Sequence, residues 1–184
     1  MTTVLPFGKQ EQSNIPGLET MVDEYIHFVT TGGTIDKDYD TRRGTRDFTI
    51  GDPAVERILE TVAPEPNFDY AVESVLKRDS LDTSAGDRQK IREACRRAPG
   101  ENVVVTHGTD TMIETAEELD CGKTVVLTGS ARPQRMTDSD AAFNVGMAVG
   151  AVQSLDEGVY VAMSGRVYDY NEIEKREDGQ FVPK

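Results

Sequence analysis

Residues that build metal and redox sites are scarce in this sequence. Its 184 residues include two cysteines, two histidines and no tryptophan. Cys95 and Cys121 belong to no CxxC motif and to no Cys/His cluster, so the pattern of a zinc or dithiol site is missing. We therefore expect neither a metal nor a cofactor, and we interpret both thiols as structural or incidental.

Basic residues are scarce as well. The chain has 20 lysines and arginines against 33 aspartates and glutamates, for a net charge of −13. Proteins that bind nucleic acid neutralise its phosphates with clustered lysine and arginine side chains. No basic stripe is available here, which argues against a nucleic-acid partner. The excess of negative charge favours solubility but carries no information about the fold.

Long apolar runs are absent too. No segment approaches the roughly 18 apolar residues of a membrane-spanning helix, and residues 1–20 lack the apolar core of about 7–15 residues that a signal peptide contains. We therefore expect a cytoplasmic protein without a membrane partner. Residues 1–20 are interpreted as a flexible arm or leader, with Met21 as an alternative start, and residues 21–184 as a single domain.

The sequence does contain a regular alternation of apolar strands and helices. Strands are predicted at 24–31, 68–76, within 99–108, at 122–129 and at 158–165, and helices at 51–62, 87–98, 109–120 and 137–155. Asp52 is expected to cap the first helix, and the tail 166–184 is predicted to be irregular. This alternation is typical of a parallel sheet covered on both faces. The predicted fold is α/β, with a doubly wound, mostly parallel (flavodoxin-like) sheet of about five strands in three layers.

Short polar loops follow the predicted strands. They are TGGTID (31–36), KRDSLD (77–82), HGTDT (107–111) and TGSARP (128–133), and the last strand is followed by the segment that reaches Lys175. In an open parallel sheet the loops after the carboxyl ends of the strands lie along one edge, where ligands bind. We therefore expect Thr34, Ser80, Thr109 and Lys175 to meet at that edge.

These loops are not phosphate-binding motifs, since neither GxxxxGK[ST] nor GxGxxG occurs in them. A hydroxyl on a glycine-hinged turn is typical of a nucleophile, with backbone N–H groups free to stabilise an oxyanion. Gly33 and Gly108 let the backbone approach a ligand closely. A threonine nucleophile needs a group that takes its proton, and the candidates are Tyr39 and Lys175.

Each of these features also has a simpler interpretation. The TGGT turn can simply end a strand, HGTDT can be a helix cap, and Ser80 can be a turn residue. Lys175 lies in the charged run EIEKRED, which is typical of a solvated surface, and His107 is typical of a packed loop histidine. Asp110 could hold Lys175 or bind a substrate ammonium group. The pair of threonine turns on one edge is what favours a site.

Three stretches of the chain resemble a known family. TTGGTID (30–36) and VVVTHGTDTMIETA (103–116) resemble the two threonine signatures of bacterial-type L-asparaginases, and KTVVLTGSARP (123–133) resembles the strand and turn that follow in that family. The resemblance extends from about Tyr25 to the last residue. It implies the short, single-domain branch, which lacks the family's C-terminal domain.

The resemblance implies hydrolysis of the side-chain amide of asparagine to aspartate and ammonia through a threonine acyl-enzyme. Thr34 is then the nucleophile, and the other catalytic residues are Tyr39, Thr109 and Lys175. The residues that bind substrate are Gly33, Ser80, Gly108 and Asp110, of which Ser80 binds the α-carboxylate and Asp110 the α-amino group. The family resemblance also implies a homo-oligomer, a dimer or larger.

Three departures from the family pattern leave other functions open. Tyr39 is closer to Thr34 than the family tyrosine, Leu81 replaces the usual glutamine after the serine, and in the expected single-domain protein the acidic residue of the C-terminal domain has no counterpart. The alternatives are a glutaminase or another small amidase, a non-catalytic asparagine- or aspartate-binding module, and the ammonia-supplying component of an amidotransferase.

Overall fold

The computed structural model describes residues 25–39 and 48–184. The predicted arm and Met21 lie outside the described residues. The strands are β1 (Tyr25–Gly32), β2 (Lys37–Tyr39), β3 (Phe48–Ile50), β4 (Asp69–Arg78), β5 (Asn102–Thr106), β6 (Thr124–Thr128), β7 (Gly158–Met163), β8 (Arg166–Asp169), β9 (Ile173–Lys175) and β10 (Phe181–Pro183). The helices are α1 (Ala54–Leu59), α2 (Ala85–Arg97), α3 (Met112–Ala116) and α4 (Ala141–Val152).

The main sheet has the strand order β4-β1-β5-β6-β7-β8. Neighbouring strands are parallel from β4 to β7, and β8 adds an antiparallel edge next to β7. The prediction of a doubly wound, mostly parallel α/β sheet in three layers is confirmed. Two antiparallel pairs, β2–β3 and β9–β10, lie outside this sheet.

The core lies on both faces of the sheet because side chains alternate along each strand. On one face Val29, Val105 and Leu127 pack against α2 and α3. On the other face Phe28 and Val104 pack against α1 and α4. Every residue of β5 and β6 is buried, as expected for central strands of a parallel sheet. Within the described part of the chain, no helix is long and apolar enough to cross a membrane.

The prediction of an irregular tail is wrong. Residues 166–184 form the edge strand β8 and the β9–β10 hairpin. These strands are three or four residues long, and each of β9 and β10 buries only one residue, Ile173 and Phe181 respectively. A strand this short shows no recognisable periodicity, which is why the pattern missed it.

The predicted cap of the first helix is also wrong. α1 begins at Ala54, and the N–H of Ala54 donates to Oδ1 of Asp36 at 2.7 Å. The carboxylate of Asp52 instead accepts a hydrogen bond from Nζ of Lys77 at 2.9 Å. Capping by a residue 18 positions away is a tertiary contact, which a local capping pattern does not contain.

Candidate active site

The loops that carry the candidate residues meet at one edge of the sheet. β1 pairs in parallel with β4 on one side and with β5 on the other. Thr34 follows β1, Ser80 follows β4 and Thr109 follows β5. The three loops therefore leave neighbouring strands at their carboxyl ends, as the topology of a parallel sheet requires.

The two threonine turns touch through their glycines. Gly33 has φ 79 and ψ −172, and its N–H donates to the carbonyl oxygen of Arg78 at 2.8 Å. A β-carbon placed on Gly33 would stand 2.4 Å from the backbone nitrogen of Gly108. Because the residues that follow these two glycines are Thr34 and Thr109, the contact brings the two threonine turns together.

Ser80 packs onto the same contact. A β-carbon placed on Gly108 would stand 2.6 Å from Oγ of Ser80, so the serine side chain occupies the space that the missing β-carbon leaves free. Ser80 is buried, and its carbonyl oxygen accepts a hydrogen bond from the Thr111 hydroxyl at 2.8 Å. Gly33, Ser80 and Gly108 thus form one tightly packed group.

Lys175 lies against the second threonine turn. Its Nζ donates to Oγ1 of Thr109 at 3.0 Å and to Oδ1 of Asp110 at 2.5 Å. The Lys175 side chain is 19% exposed, which excludes the interpretation of a freely solvated lysine. β9, which ends at Lys175, directs this side chain inward, and the Asp110 carboxylate holds its ammonium group beside the Thr109 hydroxyl.

The positions of Thr34 and Tyr39 link them less closely to the other candidate side chains. Thr34 is partly buried in the turn between β1 and β2 and begins a 3₁₀ turn that ends at Asp36. Tyr39 ends β2, is 52% exposed, and packs its ring on Phe48 with 4.2 Å between ring centroids. The structure therefore brings Thr109, Asp110 and Lys175 into direct contact, whereas the ring contact of Tyr39 is with Phe48.

His107 is a packed residue of the turn. It is buried, its Nδ1 lies 2.7 Å from the carbonyl oxygen of Gly108, and its Nε2 lies 3.0 Å from the hydroxyl of Thr115. A carbonyl only accepts, so Nδ1–H donates to Gly108, and the Thr115 hydroxyl donates to Nε2. Burial lowers the pKa of His107, which favours this neutral form. The interpretation of a packed loop histidine agrees with these contacts.

An ion pair that no sequence pattern indicated joins the first turn to the Ser80 turn. Nζ of Lys37 in β2 lies 2.8 Å from Oδ2 of Asp79, and Oδ1 of Asp79 accepts the N–H of Leu81 at 3.3 Å. The hydrogen bond from Lys37 lowers the pKa of Asp79. An aspartate at the first position of a turn is a recognisable capping signal, but its partner Lys37 is visible only in the fold.

Two clefts adjoin the candidate residues. One has a volume of about 380 Å³, and its lining includes Thr109, Asp110, Ile113, Ile173 and Lys175. The other, of about 640 Å³, is lined in part by Lys37, Phe48, Arg78 and Asp79. Both volumes suit a small molecule. Among residues 25–39 and 48–184 no group of three or more His, Cys, Asp or Glu side chains is arranged to hold a metal ion.

Comparison with known proteins gives a consistent family. Over 162 residues the chain is 33% identical to L-asparaginase 2 of Escherichia coli K12, an alignment that covers 82% of this chain and 46% of that protein. Over 154 residues it is 31% identical to one subunit of the glutamyl-tRNA(Gln) amidotransferase of Methanococcus vannielii, covering 78% of this chain and 35% of that protein. The chain thus spans less than half the length of these relatives.

Solved structures and family models also match asparaginases. The thermostable L-asparaginase from Thermococcus kodakarensis superimposes with a TM-score of 0.75 at 24% identity, covering 86% of this chain and 51% of that chain, which supports the fold. The model of the asparaginase N-terminal domain matches residues 25–181. The chain therefore belongs to the asparaginase family, in which it corresponds to the N-terminal domain.

Proposed function

We propose that this protein is an L-asparaginase that hydrolyses the side-chain amide of asparagine with a threonine nucleophile. The observation that carries the proposal is the contact of the two threonine turns through Gly33 and Gly108, with Lys175 bonded to Thr109 at 3.0 Å. The match to the asparaginase N-terminal domain supports the same chemistry.

In the proposed reaction the Thr34 hydroxyl attacks the amide carbon of the substrate and transfers its proton to one of the proton-handling groups, either Tyr39 as a phenolate or Lys175 as a neutral amine. Backbone N–H groups near Gly33 and Thr109 stabilise the oxyanion. The C–N bond then breaks, and the leaving nitrogen takes up a proton and departs as ammonia. Water attacks the resulting ester, which releases aspartate and restores the threonine hydroxyl.

Ser80 and Asp110 are proposed to hold the substrate backbone. The Ser80 hydroxyl lies against Gly108 at the centre of the packed group and binds the α-carboxylate. Asp110 is half exposed and already bonded to Lys175, and its carboxylate has further oxygen lone pairs with which to accept the α-ammonium group. Lys175 thereby keeps Asp110 oriented toward the substrate.

The test is ammonia release from asparagine by the wild type and two variants. Thr34→Ala removes the nucleophile and Thr109→Val removes a hydroxyl at constant shape, and each should lower kcat/KM by roughly 10³-fold or more. Thr61→Val is the matched control, since it removes a hydroxyl bonded to Ile58 at the end of α1. Near-wild-type rates in both site variants would show that the assigned roles are wrong.

The preference for asparagine over glutamine is part of the same proposal. Leu81 follows Ser80, is 72% exposed, and stands where the resembling family has a glutamine. A leucine cannot supply that hydrogen bond to the substrate. Comparing kcat/KM for asparagine and glutamine distinguishes an asparaginase from a glutaminase, and Leu81→Gln should raise kcat/KM for the preferred substrate.

A second candidate function is the ammonia-supplying component of an amidotransferase. It is favoured by the similarity to a Methanococcus vannielii protein named as part of such an enzyme. An asparaginase releases ammonia as a purified chain, whereas such a component requires its partner for full turnover. A non-catalytic binding module would instead bind asparagine or aspartate saturably without releasing ammonia.

The proposal also includes a cytoplasmic homo-oligomer, a dimer or larger, in which residues 21–184 act as one domain. Cys95 and Cys121 are both free thiols, in agreement with a reducing compartment. Light scattering on the purified protein measures the oligomer, and fractionation of the source cells measures the location. A monomer at micromolar concentration, or recovery outside the cytoplasm, would contradict these points.

A further inference from the structure

The turn that carries Thr34 ends in a buried carboxylate. Asp36 is 3% exposed, and its Oδ1 accepts the N–H of Ala54 at 2.7 Å. Its backbone oxygen accepts the N–H of Gly51 at 2.8 Å. A residue two positions after the candidate nucleophile is therefore bonded both to the loop that enters α1 and to the first residue of α1.

α1 gives this carboxylate a firm anchor point. Val55 and Leu59 are buried in the core between α1, α4 and the sheet, so the helix has little freedom to move. Pro53, which precedes the helix, offers no side-chain acceptor, and the carboxylate of Asp52 is bonded to Lys77. The first N–H of α1 thus has Asp36 as its partner.

Burial is the largest effect on the Asp36 carboxyl, and it raises the pKa of Asp36 to about 6. The charges of Arg57 in α1 and Lys77 in β4 act in the opposite direction. Nε of Arg57 donates to Oε1 of Gln134 at 2.8 Å, and Nζ of Lys77 donates to Asp52 at 2.9 Å. These contacts direct both cations toward other partners, so Asp36 is held chiefly by backbone N–H groups.

The other charged groups around the turn are paired with one another. Lys37 of β2 binds Asp79 at 2.8 Å, and Asp38 of β2 binds Arg135 of the loop before α4 at 2.9 Å. Within residues 25–39 and 48–184 no cation forms an ion pair with Asp36. The turn after Thr34 is therefore tied to α1 by a hydrogen bond to the backbone, and its neighbours in β2 are tied to other loops.

We propose that Asp36 is a positioning residue for Thr34, because its carboxylate ties the threonine turn to the N-terminus of α1. The turn is fixed before Thr34 by the bond from Gly33 to the carbonyl of Arg78 and after it by Asp36. Holding both ends keeps the Thr34 hydroxyl aimed at the substrate amide. The inference rests on the proposed function, since it assigns a task in the same reaction.

Positioning by Asp36 has a pH signature. An ionised carboxylate accepts the N–H of Ala54 more strongly than a neutral carboxyl does. As the pH falls through about 6, the region in which burial places the pKa of Asp36, the hold on the turn weakens and kcat falls. KM changes less, because Ser80 and Asp110, which bind the substrate backbone, belong to other loops.

The experiment compares Asp36→Ala, Asp36→Asn and the control Asp52→Asn in ammonia release between about pH 5 and 8, on either side of the Asp36 pKa. Asp36→Ala should lower kcat roughly 10- to 100-fold, as expected for a misplaced nucleophile, with KM changed by less than about threefold. Asp36→Asn keeps an oxygen acceptor, so it should restore part of kcat and lack the acid limb near the Asp36 pKa. Asp52→Asn removes the negative charge paired with Lys77, so it should keep the wild-type kcat at neutral pH and retain an acid limb.

Amide resonances of Thr34 and Ala54 in ¹⁵N-labelled protein give a readout without activity. Both should titrate near the Asp36 pKa of about 6 in the wild type and stay constant in Asp36→Asn. Any one of three results would overturn the inference. They are a folded Asp36→Ala variant with the wild-type kcat, an acid limb that persists in Asp36→Asn, and a Thr34 resonance that does not titrate with Asp36. If the wild type releases no ammonia while the resonances behave as expected, the proposed function fails and only the tie between Asp36 and the threonine turn stands.

Discussion

The contact between the two threonine turns makes Gly33 the most informative residue to change. Its φ of 79 and ψ of −172 lie in a region open almost only to glycine. A β-carbon there would stand 2.4 Å from the backbone nitrogen of Gly108, whereas favourable contacts need about 3.5–4.0 Å. Gly33→Ala therefore forces the two turns apart by about 1 Å.

The size of the effect follows from these two strains. The disfavoured backbone conformation costs about 1–3 kcal/mol, and forcing a methyl group into a packed contact costs about 1–3 kcal/mol. We expect the free energy of unfolding to fall by about 2–6 kcal/mol. A displacement of about 1 Å at a catalytic group costs roughly 100-fold in rate, so kcat for ammonia release should fall by about that factor.

Urea unfolding and ammonia release measure the two effects separately. Gly146→Ala is the matched control, because a β-carbon on Gly146 in α4 meets nothing within 4 Å, and alanine should stabilise the helix by about 0.5–1 kcal/mol. A folded Gly33→Ala protein that retains the wild-type kcat would refute the reasoning, since the turn contact would then have no part in placing Thr34.

Three further changes test the surroundings of the site. Burial raises the pKa of Asp36 from 3.8 to about 6, so the contribution of this carboxyl to stability is complete below its unfolded-state pKa and is lost as the pH rises through about 6. Asp36→Asn should therefore remove up to about 3 kcal/mol from the difference between the free energies of unfolding at acidic and neutral pH, measured by urea unfolding. An unchanged difference would contradict this. Asp79 binds Lys37 and caps the Ser80 turn, so Asp79→Ala should raise KM several-fold with a smaller change in kcat, and an unchanged KM would exclude this role. Ser84 forms a capping box at the start of α2, so Ser84→Ala should lower the free energy of unfolding by about 1 kcal/mol without changing kcat.

Much of the site's framework is predictable because it follows from strand order. The apolar runs before Thr34, Ser80 and Thr109 predict parallel strands, and the carboxyl ends of neighbouring parallel strands share an edge. Gly33 and Gly108 suggest a close approach of two backbones, because a glycine has no β-carbon, and the structure places these two residues in contact. Which threonine attacks, and how Tyr39 takes part, stay predictions.

The position of Lys175 was less accessible from the sequence. The run EIEKRED has the composition of a solvated surface, and β9 and β10 are too short to show a strand pattern. Only pairing of these strands places the ammonium group beside Thr109 and Asp110. Strand topology and the family resemblance both indicated this lysine, whereas its local sequence favoured a solvated surface.

The sequence by itself determined the layered architecture and the edge at which polar loops gather, because side-chain periodicity and strand direction are local properties that repeat along the chain. Tertiary structure alone decided that Asp36 rather than Asp52 caps α1, that Lys37 binds Asp79, and that Lys175 reaches Thr109. These are contacts between single side chains far apart in the chain, and their partners are set by how the packed elements lie against one another.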